Sequence, residues 1–329
     1  MVGCEGNVAE GTVVAFTMDD PALLPIFRVF ALVFGLLWGS FLNVVIYRVP
    51  RDLSVVRPAS RCPACGKPIP AYRNVPVLSF VLQRGKAACC GAKMSPRYLL
   101  VELIGGALAL AIFEAIVVPY GLEHGTLPAL ALFLVDLAAA LALVAAAFID
   151  LEQLYLPDPI TYGVTALGLA SFSLRGRRLV DVGVGAALGF LVVWFLFGVL
   201  YRRLRGKTGM GMGDAKLLMA IGAFFGWVGV ALALSFASVQ AVLAVLLIKL
   251  SGRSIDLPEA VQADMAELRA AAEAGDEEAK RLLEEDVLAE EVGDSVGSLR
   301  IAFGPFLVLA FLELLLFEPQ ILGALLPQL

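Results

Sequence analysis

The longest stretch without a charged side chain covers residues 217–248 and puts the strongest constraint on the fold. It contains 32 residues, most of them Leu, Ala, Val, Phe and Gly. A helix needs about 20 apolar residues to cross a bilayer, so the stretch is too long for one span. It predicts two short membrane helices that meet near Gly226 and Trp227. The composition agrees, because 60% of the 329 residues are hydrophobic and 17% charged, against about 25% charged in soluble domains.

Further apolar runs predict an all-α polytopic membrane protein with about eight transmembrane helices. Each run has roughly the length and the lack of charge that a spanning helix requires. The predicted spans lie at about 28–48, 98–118, 127–149, 157–174, 182–201, two within 217–248, and 301–317.

The distribution of basic residues predicts how the chain is oriented. Residues 48–97 contain ten Lys or Arg and a single acid, Asp52. Basic loops remain in the cytoplasm, so this loop is predicted to be cytoplasmic and the N-terminus extracytoplasmic. Two spans separate the loop from Asp150 and two more separate Asp150 from Asp214, which predicts that all three share the cytoplasmic face. One predicted outer loop goes against the rule, with three arginines: Arg175, Arg177 and Arg178.

The predicted organisation has six parts. They are an extracytoplasmic N-terminal segment (1–21), the first transmembrane helix (22–47), a cytoplasmic cysteine loop domain (48–97), transmembrane helices two to seven with the aspartates (98–252), an acidic helical cytoplasmic insert (253–298), and the last transmembrane helix with the C-terminus (299–329). The insert is recognised by its charge, since residues 253–294 hold 14 acids and 4 bases. It is either a tolerated loop insertion or a docking segment for a partner.

Cysteine and histidine usage limits the chemistry. Cys4 stands apart near the N-terminus, and the other four cysteines lie in the basic loop: Cys62, Cys65, Cys89 and Cys90. In a cytoplasmic loop such a cluster favours a metal site over disulfides. The only histidine, His124, argues against Ser-His-Asp, Cys-His and multi-histidine sites.

Two aspartates at predicted helix ends are the strongest candidates for catalysis. Asp150 ends the third span, and Asp214 follows Gly211-Met212-Gly213 before the sixth. One such aspartate alone is typical of an interfacial anchor, but ionisable groups near the membrane also suggest function. Two carboxylates held close share a proton, so one can activate water while the other polarises a carbonyl. Gly211 and Gly213 are expected to permit positive φ and close approach of a substrate strand.

Six sequence blocks in order resemble the type IV prepilin peptidase family, membrane aspartyl proteases of the Gly-x-Gly-Asp kind. The resemblance spans most of the chain. The blocks are 39–50 (GSFLNVVIYRVP), the loop pieces 61–66 (RCPACG), 74–79 (NVPVLS) and 84–86 (RGK), the helix entry at 95–98 (SPRY) and 101–103 (VEL), Asp150 with 156–158 (LPD), 211–218 (GMGDAKLL), and 303–306 (FGPF).

The resemblance implies a function and its site residues. Members of this family remove the short basic leader from type IV prepilins and type II secretion pseudopilins at the cytoplasmic face of the inner membrane. Many then N-methylate the new N-terminal residue with S-adenosylmethionine. By resemblance Asp150 and Asp214 are the catalytic pair, while Gly85 and Lys86 match positions associated with methylation. The implied partners are prepilin and pseudopilin substrates, the bilayer, and pilus or secretion assembly proteins; no nucleic acid is expected, and proteolysis needs no cofactor.

The cysteine loop departs from the family pattern of two C-x-x-C pairs. Ala87 occupies the position of the third cysteine, while Cys90 fits the fourth. Two interpretations stay open: Cys89 replaces the missing ligand in a zinc site with Cys62, Cys65 and Cys90, or the loop is unmetallated or has three cysteines. Adjacent side chains point apart, so two ligands from Cys89 and Cys90 are expected to strain the site. A weakened loop would affect methylation before proteolysis.

Other interpretations remain for some of these residues. A proton- or ion-coupled carrier would use Asp136, Asp150 and Asp214, but it predicts mid-membrane charges and related halves, and the sequence shows neither. A non-catalytic assembly factor would make the Gly-Asp turn dispensable. Asp158, which precedes a proline, is predicted to cap the fourth span, with a place in the active site as the alternative.

Overall fold

A computed structural model describes residues 23–205, 211–252, 257–285 and 302–325. These residues are helical and contain no strand, only two isolated β-bridges in the cysteine loop. Short π-helical stretches, Phe113–Val117 and Trp194–Leu200, continue α3 into α4 and α7 into α8. The helices are α1 Leu24–Arg48, α2 Leu78–Leu82, α3 Pro96–Ile112, α4 Val118–His124, α5 Thr126–Gln153, α6 Asp158–Ala170, α7 Leu179–Val193, α8 Tyr201–Arg205, α9 Met212–Leu250, α10 Glu259–Glu273, α11 Glu277–Glu285 and α12 Gly304–Leu325.

Six helical segments of the described residues are long and apolar enough to cross a membrane, which makes the chain a multi-pass helical membrane protein. The predicted count of about eight is not confirmed, and the difference has two sources. α6 has 13 residues, or about 20 Å, which is shorter than the hydrocarbon core of about 30 Å. α9 counts once, although its 39 residues would measure about 58 Å as a straight helix.

α9 is broken at Gly226, where the sequence predicts a boundary between two helices. Gly226 has φ 70° and ψ −168°, a conformation that glycine adopts without the steric cost of a β-carbon. The chain turns so sharply there that a β-carbon on Gly229 would lie 2.1 Å from the β-carbon of Phe225. The part after the break reaches α12, since Gln240 Nε2 donates to both carboxylate oxygens of Glu313 at 2.9 and 2.8 Å.

Backbone contacts through glycine hold the helices together. A β-carbon on Gly222 of α9 would lie 2.1 Å from the carbonyl oxygen of Gly185 on α7, and one on Gly35 of α1 would lie 2.3 Å from that of Gly105 on α3. Small residues of this kind allow membrane helices to approach closely and gain packing energy. α5 is the most buried of the six candidate spans and has α1, α3, α6 and α12 packed around it.

The three arginines of the predicted outer loop all have acidic partners. Arg175 pairs with Asp136 of α5, which is fully buried, and Arg177 pairs with Glu318 of α12. Arg178 Nε lies 2.9 Å from Asp181 Oδ2. The three arginines are thus held by ion pairs with acids of α5, α12 and α7. These contacts lie at the end of the bundle opposite Asp150.

The acidic insert contains two helices, α10 and α11, between the end of α9 and the start of α12. Val261 and Met265 of α10 are buried, and α10 packs against α5. The predicted N-terminal segment 1–21, including Cys4, lies outside the described residues. So do residues 253–256 and 286–301 of the predicted insert and last segment.

Candidate active site

Asp150 lies in the last turn of α5 and is 6% exposed. Its Oδ2 accepts a hydrogen bond of 3.1 Å from the backbone N–H of Gly304. The first N–H groups of a helix have no partner within the helix, so the start of α12 has a free donor to offer. The absence of a side chain on Gly304 permits this contact, because a β-carbon there would lie 2.5 Å from the same oxygen.

Asp214 lies in the first turn of α9 and is 9% exposed. The backbone N–H of Gly211 donates a hydrogen bond to its carboxylate, which also lies within electrostatic range of Asp150. The structure therefore brings the two predicted aspartates together at one end of the bundle. The expected positive φ at Gly211 is wrong, since this residue has φ −69° and ψ 148°, an ordinary extended conformation.

Leu156 fills the space left by Gly213, where a substrate strand was expected. A β-carbon on Gly213 would lie 2.9 Å from Leu156 Cβ, and one on Gly304 would lie 3.2 Å from Leu156 Cδ1. Leu156 is 6% exposed. Its side chain thus packs between the glycine that precedes Asp214 and the glycine that donates to Asp150. The family block at 156–158 includes Leu156, but nothing in the sequence indicates that its side chain packs against Gly213 and Gly304.

Asp158 forms an ion pair with Lys216 and does not cap α6. Pro157 occupies the cap position, and the structure has no side-chain cap there. Asp158 Oδ1 instead lies 2.5 Å from Lys216 Nζ, which also sits 5.3 Å from the ring centre of Tyr162. The pair links the first turn of α6 to the first turn of α9, two residues after Asp214.

The four loop cysteines form a cluster whose geometry fits zinc. Their sulfur atoms all lie within 4.8 Å of one another. The Sγ–Sγ distances are 3.8 Å for Cys62–Cys90, 3.4 Å for Cys65–Cys89 and 3.9 Å for Cys89–Cys90. A tetrahedral zinc with Zn–S bonds of about 2.3 Å requires edges of about 3.8 Å. A hydrogen bond from the Cys65 backbone lowers the pKa of Cys62 to about 7, which favours the thiolate that a metal binds.

Two equivalent turns, or knuckles, build this cluster 25 residues apart. The first knuckle is residues 61–68 and the second residues 86–93, each closed by an antiparallel bridge. Gly66 N donates to Cys62 O at 2.8 Å, and Gly91 N donates to Ala87 O at 2.7 Å. Ala87 therefore takes the place of Cys62, and Cys90 that of Cys65. Cys89 comes from a position that is Ala64 in the first knuckle, yet its thiol joins the cluster beside that of Cys90.

Gly85 and Lys86 lie where α2 leads into the second knuckle. Gly85 has φ 67°, donates to Phe80 O at 3.0 Å and accepts from Met94 N at 2.8 Å. Lys86 is exposed and begins the second knuckle. The loop places both residues beside the cysteine cluster.

Two polar contacts attach the loop to the membrane helices. The buried carboxylate of Glu102 on α3 accepts a hydrogen bond of 2.7 Å from the backbone N–H of Val77. Glu102 thus binds the loop through a main-chain donor. Arg97, at the start of α3, pairs with Glu152, two residues after Asp150. The cysteine loop and the aspartates therefore share one end of the bundle.

The sequence matches two family models and a set of curated relatives. The bacterial peptidase A24 N-terminal domain matches residues 33–116, and the type IV leader peptidase family matches residues 137–247. The prepilin leader peptidase/N-methyltransferase of Neisseria gonorrhoeae is 40% identical over 238 residues, covering 64% of this chain and 78% of the relative. That of Myxococcus xanthus is 40% identical over 232 residues (70% and 66%), and that of Klebsiella pneumoniae 36% over 225 residues (64% and 93%). No solved structure matches the chain. With two matched domains in order and relatives covered over most of their length, this chain belongs to the prepilin leader peptidase/N-methyltransferase family.

Proposed function

We propose that this inner-membrane protein removes the leader from prepilins by aspartyl catalysis and then N-methylates the new N-terminus. The observation that carries the proposal is the pairing of Asp150 and Asp214, two buried carboxylates at one end of the bundle. Both lie within the matched leader-peptidase region. The relatives are named for both activities, and type II secretion pseudopilins are the second expected substrate class.

The site supports a mechanism in which the two aspartates take complementary roles. The ionised carboxylate accepts a proton from water as the water oxygen attacks the scissile carbonyl carbon. The protonated carboxyl donates a hydrogen bond to the carbonyl oxygen, and the departing amine takes up a proton as the C–N bond breaks. The N–H groups of Gly304 and Gly211 hold the carboxylates in orientation.

The proposed methylation site lies in the loop domain of residues 48–97. S-adenosylmethionine supplies the methyl group when bound, and Gly85 and Lys86 are the residues proposed to contribute to its site. The Gly85 turn places the exposed Lys86, whose ammonium group is available, beside the cluster. The contacts of Glu102 and Arg97 keep this loop next to the aspartates, where cleavage frees the new amine.

Zinc is the proposed structural ion of this loop, held by Cys62, Cys65, Cys89 and Cys90. The sulfur distances support four thiolate ligands in a closed site. Such an ion would join the two knuckles, which the described hydrogen bonds close separately.

We propose that the aspartates, the cysteine loop and the acidic insert face the cytoplasm, with the N-terminus outside. Ten basic residues in the loop favour this orientation. A count of eight spans requires α6 and both parts of α9 to enter the bilayer. The break at Gly226 supports this count for α9.

The carrier hypothesis has less support. It needs Asp136 as a relay between the two other aspartates, but Asp136 is fully buried and paired with Arg175. That pair ties α5 to the α6–α7 loop at the end opposite Asp150.

The proposal is tested by co-expressing a type IV prepilin with the wild type, Asp150→Asn, Asp214→Asn and the surface control Asp264→Asn. Leader removal is followed by mass spectrometry. We expect each catalytic variant to lose about a hundredfold or more of the cleavage, which is the range for a general acid or base, and the control to match the wild type. Processing that persists in Asp150→Asn or Asp214→Asn contradicts the assignment. The same spectra report methylation as the added mass of one CH₂ on the cleaved pilin.

A further inference from the structure

The segment of residues 156–158, here called the strap, joins α5 to α6 beside both aspartates. It begins after Leu154, whose φ of 52° turns the chain out of α5. Leu156 then packs against Gly213 and Gly304, and Asp158 binds Lys216. The strap therefore contacts Gly213, which precedes Asp214, and Gly304, which donates to Asp150. It also contacts the side chain of Lys216, two positions after Asp214.

Leu156 acts as a spacer between the two aspartate-bearing regions. The positions of missing β-carbons on Gly213 and Gly304 both lie 3.2 Å from Leu156 Cδ1. One methyl group is thus in close contact with α9 and with α12. Interiors at this packing density transmit displacement, so a smaller residue would let the two backbones approach or tilt.

The Asp158–Lys216 ion pair fixes the other end of the strap. Its N–O distance is 2.5 Å, and the Lys216 side chain is 17% exposed. Lys216 follows Asp214 by two positions on a helix, so its ammonium group points away from the catalytic carboxylate. The pair therefore affects the aspartate through the placement of α9 and makes no direct contact with it.

We infer that the strap sets the separation and orientation of Asp150 and Asp214, with Leu156, Asp158 and Lys216 as positioning residues for the cleavage reaction. This inference rests on the proposed function. Both carboxylates must meet one carbonyl group, and displacements of about 1 Å from the productive geometry cost catalysis strongly. Loss of the strap should therefore lower kcat while leaving KM nearly unchanged, since the substrate still binds.

The ion pair is tested by a double-mutant cycle on the full-length protein in detergent with a prepilin substrate. The variants are Asp158→Asn, Lys216→Gln, the double variant and the conservative Lys216→Arg. Lys280→Gln is the matched control, because Lys280 forms a pair of 2.6 Å with Glu277 in the insert. We expect each single variant to lose about tenfold in kcat, the double variant to lose no more than the singles, and Lys216→Arg to retain most activity.

Leu156→Ala is tested beside Leu132→Ala, a similarly buried leucine of α5 at 3% exposure. Both variants should lower the thermal unfolding temperature, but only Leu156→Ala should also lower kcat. If the two behave alike, Leu156 is an ordinary core residue and the spacer role fails.

Wild-type kcat in both single ion-pair variants would overturn the inference. So would a double variant whose loss equals the product of the single losses, because the two residues would then act independently. Should Lys216→Gln fail to fold, Asp158→Asn and Lys216→Arg decide the same question. Failure of the wild type to cleave, or cleavage by Asp150→Asn, refutes the proposed function instead.

Discussion

Gly304 stands where the start of α12 meets the end of α5, and its lack of a side chain brings its N–H within 3.1 Å of Asp150. Gly304 acts through its backbone N–H, and the absence of a side chain makes this contact possible. Asp214 is held in a similar way by the N–H of Gly211. Each catalytic candidate is thus oriented by a main-chain donor, which holds its position more rigidly than a long side chain could.

Gly304→Ala should lower kcat about tenfold or more, because the added β-carbon would lie 2.5 Å from Asp150 Oδ2 and must push the carboxylate aside. Steady-state cleavage of a prepilin in detergent measures the effect. Gly163→Ala is the control, since a β-carbon on that α6 residue meets nothing within 4 Å. Equal activity in the two variants would mean that the site tolerates a displaced Asp150.

The two aspartates could be predicted from the sequence, because a carboxylate stands out in an apolar stretch and is costly to keep there. Their supporting contacts could not. Gly304 and Asp150 are 154 positions apart, and the family block that contains Leu156 does not say which residues its side chain contacts. The close neighbour of Gly213 could not be predicted either, because Leu156 fills that space only in the folded chain.

The two knuckles are an element whose geometry could not be predicted fully from the sequence. The sequence shows that Ala87 replaces the third cysteine of the family pattern, and from adjacency alone two ligands at Cys89 and Cys90 were expected to strain the site. In the structure both thiols join the cluster, with their sulfur atoms 3.9 Å apart. The tight turn closed by Gly91, with φ 72°, gives the chain a curvature that a simple alternation of side chains does not anticipate.

Cys89→Ala should abolish stoichiometric zinc binding, and Cys89→Ala combined with Ala87→Cys should restore it by returning the ligand to the position of Cys62 in the first knuckle. Metal content of the purified protein, together with the visible absorption of the cobalt-substituted form, reports the number of thiolate ligands without reference to activity. Zinc retained in full by Cys89→Ala would support a three-cysteine site. The surface variant Lys280→Gln controls for losses during purification.

From the sequence, helices were easier to predict than the segments that cross the membrane. The 32-residue uncharged stretch required a break, and the structure has one at Gly226. α6 shows the opposite case, because apolarity over residues 157–174 suggested a full span, whereas the helix ends at Ala170 after 13 residues. Hydropathy shows which residues avoid water, but it does not show where the backbone hydrogen bonds of a helix end.

In the whole molecule, two groups of functional or charged residues lie at opposite ends of the helix bundle. The cysteine loop and the aspartates lie at one end, and the ion pairs of Arg175, Arg177 and Arg178 lie at the other. The positive-inside rule counts Lys and Arg, so the ten basic residues of the cysteine loop outweigh these three arginines in the proposed orientation.

Ser173→Cys in a Cys4→Ser background should react with a membrane-impermeant maleimide in intact spheroplasts, because the α6–α7 loop is proposed to face outward. The four loop cysteines should react only after permeabilisation and removal of bound zinc with a chelator, as should the Cys4→Ser protein used as the control. Labelling of Ser173→Cys that requires permeabilisation would invert the proposed orientation and place the aspartates outside.

The bond between Gly304 and Asp150 also bears on how the enzyme is made. Asp150 emerges from the ribosome long before Gly304, and the acidic insert is synthesised in between. A nascent chain that has inserted α5 and α9 already contains both aspartates, but Asp150 lacks the Gly304 donor until α12 is made. Completion of the site therefore waits for the last helix, and an unfinished or truncated chain carries an aspartate pair that is not yet oriented for cleavage.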